Sequence, residues 1–441
     1  MTRHLPRVLR AFDISVLASA SMGPAYSLAS TMGPIVVAGG FGAPWAFLVL
    51  SAVMFCIAIS FSYLSRVAPN AGSSYSWIRM EFGSNVGAYG AWLLLLSNFF
   101  ATMTIAVPAG IYTLELVAPQ HAQDPIWTAL VGALWIAASS VLLYVGVRPT
   151  AWVTLLALGF EVVVLLASAL AAALHAPAPV VHAAAPAVPG IGWIGFVGAM
   201  TLAVWMNDGW EVSASTSEEI DDVPSASGRG GIAGFLIATA VLALCMFAYL
   251  HLGTVHGFAD NQADALAYVG TLLGGGWWRL AIVVAVLLSA LSTLWTTILY
   301  LSRSVYAMGR DRVLPRPLGV LDERNEPLTA LAVVAVLVTV CELVTGFSKT
   351  AADQLAIVLN ASSVFLGLLF VLSALAAVRR FWGEAQARLG GVLVPLAGAL
   401  ALFGVLGATI AFEPPGLQLY AWGGLVLGIP FALWRGRRAT G

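Results

Sequence analysis

Apolar residues run in long blocks down the whole chain, separated by short joints that must hold the charges. A window of about 20 residues, the length a helix needs to cross a bilayer, predicts spans near 12–37, 43–66, 84–114, 125–147, 150–174, 192–216, 230–256, 278–306, 328–346, 352–378, 390–411 and 416–434. The pattern is that of an all-α membrane protein with about twelve transmembrane helices, the ninth and the last being the shortest. The longest joints are the Pro/Ala-rich stretch 176–191 and the segments 218–231 and 310–327. None is long enough to fold as a separate catalytic domain, so residues 1–441 read as a single membrane domain.

Two spans carry residues in their middles that oppose a continuous helix. The first holds Ser21-Met22-Gly23-Pro24 and the sixth holds Asn207-Asp208-Gly209. These places correspond if 12–174 and 192–378 are five-helix repeats followed by a terminal pair at 390–434. An odd number of spans per repeat forces opposite topology, so the expectation is a 5+5 inverted repeat with broken helices 1 and 6. Paired broken helices in such repeats point to a substrate site at the bilayer midplane.

Composition agrees with the spans. Hydrophobic residues make up 60% and charged ones 9% of the chain, against roughly 45–50% and 25% in soluble domains, and the mean hydropathy is +0.91. A soluble protein is excluded. The formal net charge of −1 leaves no basic footprint for nucleic acid. If the N-terminus is cytoplasmic, eighteen of the 20 basic residues fall on the inner side, leaving only Arg279 and Lys349 outside. That asymmetry predicts a multi-pass protein of the cytoplasmic membrane with both termini inside. The basic stretch Met1 to Arg10 leads into the first span without a small-residue cleavage site and reads as a signal anchor. Cys56, Cys245 and Cys341 lie inside apolar runs and read as buried thiols.

Three stretches carry a family resemblance. Arg66-Val67-Ala68-Pro69-Asn70-Ala71-Gly72-Ser73-Ser74-Tyr75 with Phe82-Gly83, the sixth-span run Trp205-Met206-Asn207-Asp208-Gly209-Trp210-Glu211 with Glu218-Glu219, and Arg303 through Pro315 at the exit of span eight resemble segments of the amino acid–polyamine–organocation permeases. That family has the leucine-transporter fold, and the resemblance runs nearly end to end. One position departs from it: where members commonly show Gly-x-Gly in the first broken helix, this chain has Met22-Gly23-Pro24. Pro24 suits the first turn of a half-helix, yet it removes one N–H donor from any anion cradle.

Unwound midplane segments leave N–H groups free at one half-helix end and C=O groups free at the other. An amino acid zwitterion matches that layout. Its carboxylate is expected against the N–H groups of Met22, Gly23 and Ala25, beside Ser21, and its ammonium against carbonyls near Ser19 and in the stretch Trp205, Met206, Asn207. The resemblance implies that Trp205 stacks on or gates the substrate. Tyr26, Asn98 and Trp295 are mid-span pocket candidates. Ionisable groups in hydrocarbon cost at least about 2.5–3.5 kcal/mol if they face lipid, which singles out Glu161, Asp208 and Glu211. By resemblance, Glu161 lies roughly where some proton-coupled members have a lysine and sodium-coupled relatives bind sodium, so it is the expected proton-coupling carboxyl. Asp208, next to Gly209, either meets a substrate amine or caps the second half-helix. Glu211 is expected to serve a structural or proton-path hydrogen bond. Glu218, Glu219, Asp221 and Asp222 read as a solvated inner helix end, and Arg303, Arg310 and Asp311 first as cytoplasmic anchors.

The expected function is therefore a secondary active transporter, a permease moving amino acids or related amines by alternating access. Protons are the expected coupling ion, and no cofactor, catalytic residue or metal site is implied. The partners are a small-molecule substrate and the lipid bilayer, with no nucleic acid. A polyamine or organic-cation importer and an amino acid exchanger are the alternatives. A membrane-embedded enzyme or a channel fits least, because Asp208 and Glu161 form no recognised catalytic pair.

Overall fold

In lipid every backbone polar group must find its partner within the protein, and the chain meets that demand with helices. A computed structural model describes residues 4–175, 192–223, 225–262, 264–349, 351–412 and 415–438; of 351–363, 411–412, 415–421 and 437–438 only the backbone is described. Arg3 and the expected outer stretch 176–191 lie outside the described residues. In chain order the helices are α1 (Ala11–Ser21), α2 (Pro24–Gly39), α3 (Ala43–Val67), α4 (Ser73–Phe82), α5 (Ser84–Val117), α6 (Pro125–Val145), α7 (Val147–Leu174), α8 (Trp193–Met206) and α9 (Val212–Ser215). They continue with α10 (Ala226–Leu252), α11 (Val255–Asp260), α12 (Ala265–Leu272), α13 (Gly276–Arg310), α14 (Leu328–Thr345), α15 (Ala351–Phe381), α16 (Val394–Phe412) and α17 (Pro415–Arg438).

Each of the twelve expected spans coincides with helical residues. Among the described residues, nine segments are long and apolar enough to cross a membrane, the continuous Ala11–Val67 stretch holding the first two spans. Three short helices were not foreseen: α4 between the second and third spans, and α11 and α12 before span eight. Thr254 caps α11 by accepting from the Gly257 N–H at 3.0 Å, and Asp264 caps α12 by accepting from the Ala267 N–H at 3.0 Å.

The central element is α13, which packs on α1, α2, α5, α6, α7 and α14. Its middle, Ser289 to Gly309, is buried along its whole length. Outer helices instead show large apolar side chains on their free faces, among them Leu134, Leu156, Leu170, Val336, Leu400 and Phe403. In a membrane protein those faces meet lipid. An aromatic cluster ties five elements together: Phe61 of α3 makes edge contacts with Trp77, Trp210 and Phe370, while Trp210 also stacks on Phe370 and meets Phe235 edge-on. The segment after the sixth-span break is thereby anchored to α3, α4, α10 and α15. Of the three cysteines, only Cys245 is fully buried; Cys56 and Cys341 are half-buried.

Candidate functional site

The first break follows from Pro24. Proline has no N–H to return to the Ala20 carbonyl and cannot continue a helix without a kink. The chain turns at Gly23, whose φ of 54° is in the left-handed region that glycine adopts at little cost. The freed Ala20 carbonyl is taken by the Gly23 N–H at 3.0 Å and the Thr293 hydroxyl at 3.0 Å. Downstream, the Ala25 N–H points to Glu161 Oε2 at 3.4 Å, the Tyr26 N–H to Ser289 Oγ at 3.1 Å, and the Ser27 hydroxyl donates to the Met22 carbonyl at 2.7 Å.

The second break is opened by Asn207, Asp208 and Gly209. Asn207 and Asp208 tighten the end of α8 by donating their N–H groups to the Val204 and Trp205 carbonyls at 3.1 and 3.2 Å. The Asn207 side chain donates to the Ala203 carbonyl at 3.0 Å, and the Trp210 indole donates to the Asn207 carbonyl at 3.0 Å. Gly209 has φ 105°, and a Cβ there would overlap the Ser21 carbonyl. The two breaks are thus in backbone contact, and glycine is the residue that permits it.

Two carboxylates converge on that point. The Gly209 N–H donates to Asp208 Oδ1 at 2.8 Å and to Glu211 Oε2 at 2.9 Å. Around them lies a narrow cavity of ≈ 20 Å³, room for about one water. Its walls are Ser21, Met22, Tyr26 and Ser27 from the first span, Asn98, Ala101 and Ile105 from α5, Trp205, Asp208, Gly209 and Glu211 from the sixth, and Thr293, Thr297 and Tyr300 from α13. Tyr26 is held by its hydroxyl, which donates to the Thr104 carbonyl at 2.7 Å; Pro108 has no N–H to offer that carbonyl within α5. The Trp205 indole stands beside the same hydroxyl.

Of the residues expected at the site, Ser21, Met22, Tyr26, Asn98, Trp205, Asp208, Gly209 and Glu211 line the cavity. Gly23, Ala25, Met206, Asn207 and Trp295 do not. Gly23 and Asn207 shape the breaks from behind, Met206 is fully buried in the core, and the Trp295 indole donates to Thr154 Oγ1 at 2.8 Å, away from the cavity. Asp208 does not cap α9; its carboxylate stays on the adjacent Gly209 N–H. The expected zwitterion cradle is also altered, because the N–H groups of Gly23 and Ala25 are engaged by Ala20 and Glu161. Thr293, Thr297 and Tyr300 were not foreseen, since hydroxyls in an apolar helix give no signal of the face they occupy.

Glu161 on α7 is fully buried where α2 begins. Its Oε2 receives the Ala25 N–H, its Oε1 has no partner, and the Ser289 hydroxyl lies beside it. A second buried acid escaped the sequence reading: Glu342 of α14, whose two oxygens lack partners and pack over Gly132 of α6.

One side of the bundle is closed by ion pairs and hydrogen bonds that unite the three stretches quoted for the family resemblance. Buried Arg303 meets Glu219 at 3.0 Å and Glu326 at 2.7 Å, Arg310 meets Glu218 at 2.8 Å, and Arg79 meets Asp311 at 2.8 Å. Glu218 also accepts from the Ala71 N–H, and Ser217 from the Asn70 N–H. Glu219 is therefore not a solvated helix end, and Arg303 is not a free anchor: both are wholly buried. The N-terminal segment lies over this network, with the Val8 and Leu9 N–H groups donating to the Glu219 carbonyl.

Comparison with known proteins agrees with this geometry. The amino acid permease family matches residues 9–426. The chain is 26% identical over 362 residues to the branched-chain amino acid permease BcaP of Lactococcus lactis, covering 76% of each chain. It is 27% identical over 450 aligned positions to an uncharacterized transporter of Mycobacterium tuberculosis, covering 99% of this chain and 92% of that one. An uncharacterized amino acid permease of Bacillus subtilis, YecA, is 26% identical over 307 residues. With a family match across nearly its whole length and a cavity at two meeting helix breaks, the chain belongs to the amino acid permease family and is a multi-span membrane transporter, not an enzyme.

Proposed function

We propose that this permease is a proton-coupled secondary carrier that works by alternating access across the cytoplasmic membrane, with both termini inside. The observation that carries the reading is Glu161: a buried carboxyl with one oxygen on the Ala25 N–H at the start of α2 and the other unpartnered. An ionised carboxylate favours the positive end of α2, whereas a protonated one loses that attraction and removes a charge that is costly to keep in a low-dielectric interior. The proton state of Glu161 thereby biases how firmly α2 is held against α7 and α13, and α2 supplies Tyr26 to the cavity wall. Residues 12–174 and 192–378 act as two inverted five-helix units that rock around the paired breaks. The ion pairs at Arg303 and Arg310 serve as the inner gate in its closed position.

Replacing Glu161 with Gln keeps the shape and removes the titration. In proteoliposomes, Glu161→Gln is expected to retain equilibrative uptake and ligand-induced thermal stabilisation while losing the response to an imposed pH gradient. Gradient-driven uptake equal to that of the unaltered protein would remove Glu161 from the coupling role.

A further inference from the structure

We infer that the cavity is built for a small primary monoamine, an ammonium on an apolar tail with no free carboxylate; this rests on the transport reading above. The argument is an account of donors and acceptors. A substrate carboxylate needs N–H or O–H donors, and around the first break these are scarce: among the described residues the Met22 N–H reaches the Ala20 carbonyl, and the Ser21 hydroxyl is the one donor of the break left without a partner. Pro24 has none, and the N–H groups of Gly23, Ala25 and Tyr26 go to the Ala20 carbonyl, Glu161 and Ser289. The hydroxyls of Tyr26, Ser27, Thr293 and Thr297 all donate to backbone carbonyls. No Lys, Arg or His lines the cavity. A carboxylate placed there would face two other carboxylates with no compensating cation.

Acceptors are in the opposite condition. Asp208 and Glu211 share a single N–H, which leaves oxygen lone pairs of both carboxylates for a ligand. The Glu211 side chain is 3% exposed and lines the cavity. Asn98 spends its amide NH₂ on Leu94, leaving its oxygen as an acceptor, and the hydroxyl of Ser21, 5% exposed, has no partner among the described residues. An ammonium brings three donors and one positive charge. The lining also includes Met22, Ala101, Ile105 and Trp205, an apolar surface for a tail. Asp208 and Glu211 are the acids in the lining and both sit on the one Gly209 N–H, so a diamine would leave its second charge without a carboxylate of its own.

The test uses the full-length protein and matched ligands: leucine against 3-methylbutylamine, phenylalanine against 2-phenylethylamine, the amide of each amino acid, and 1,4-diaminobutane. Thermal stabilisation and competition in proteoliposome uptake are read together. The expected result is that monoamines and amides compete at least about tenfold better than the parent amino acids and the diamine, since a site that leaves polar groups unpaired discriminates strongly. In Asp208→Asn that preference should shrink, and in Asp208→Glu it should persist. Amino acids competing as well as their decarboxylated amines, in vesicles that transport them, would overturn the inference and leave the carrier reading standing. Stabilisation and transport by none of the compounds would overturn both.

Discussion

Gly209 joins the two halves of the site at a single residue. Its φ of 105° lies where an L side chain is strained, and a Cβ would overlap the Ser21 carbonyl. Gly209→Ala must push the sixth-span break away from the first, at a cost of about 1–3 kcal/mol for overpacking, and it moves the N–H that holds Asp208 and Glu211 together. The expected outcome is a lower melting temperature in detergent together with loss of most uptake; unchanged transport kinetics would show that the two breaks need not touch. At this scale the sequence was partly legible. Glycine, proline and acidic residues in an apolar run announce themselves, so Gly23, Pro24, Glu161, Asp208 and Glu211 were found before any coordinates. Hydrogen-bond commitments do not. Whether the Ala25 N–H faces a substrate or Glu161 depends on α7 lying behind α2, and Glu342 was hidden because a lone acid one turn from a helix end resembles an interfacial residue.

Among the elements, the segment between spans seven and eight offers a check on pH. Asp264 begins α12, and burial pushes its carboxyl up to about 7, with nearby Glu115 raising it further and the Ala267 N–H, Tyr112 and Arg279 opposing. A carboxyl whose value is raised in the closed loop binds a proton more tightly there than when the loop opens to water. The closed arrangement is therefore fully favoured in acid and loses stability as pH rises from about 4, the ordinary carboxylate range, to about 7. Amide protection across α11 and α12, taken relative to the intrinsic base-catalysed exchange rate at each pH, is expected to be greater at pH 5 than at pH 8, and Asp264→Asn should flatten the difference. Lower protection in acid would reverse the assigned sign. The long spans were legible because twenty apolar residues have few alternatives. The short helices α4, α11 and α12 were not, because six to ten mixed residues owe their helicity to packing and caps rather than to a periodic pattern.

For the whole molecule, the arrangement is a cavity at the meeting of two broken helices, with buried ion pairs joining the elements on one side of the bundle, and it is contracted to the volume of about one water. Substrate entry then requires the walls to move, which is what a carrier must do and a preformed pore need not. The buried Arg303–Glu219–Glu326 group suits a gate: removing one partner of such a group strands a buried charge, so the intact set resists separation of the elements it joins. The span count and the two interrupted spans made this architecture readable in advance, whereas the convergence of Asn70, Glu218 and Arg310 on one face required the fold. The measurement that tests proton-coupled carriage most directly is uphill uptake in vesicles containing only this protein. The exterior is made acidic, the interior alkaline, and the membrane potential is clamped. An amine then partitions passively out of the lumen, so inward accumulation cannot arise from leakage. The account predicts saturable accumulation above the external concentration, abolished by a protonophore. Uptake that stops at equal concentrations whatever the pH gradient would contradict it.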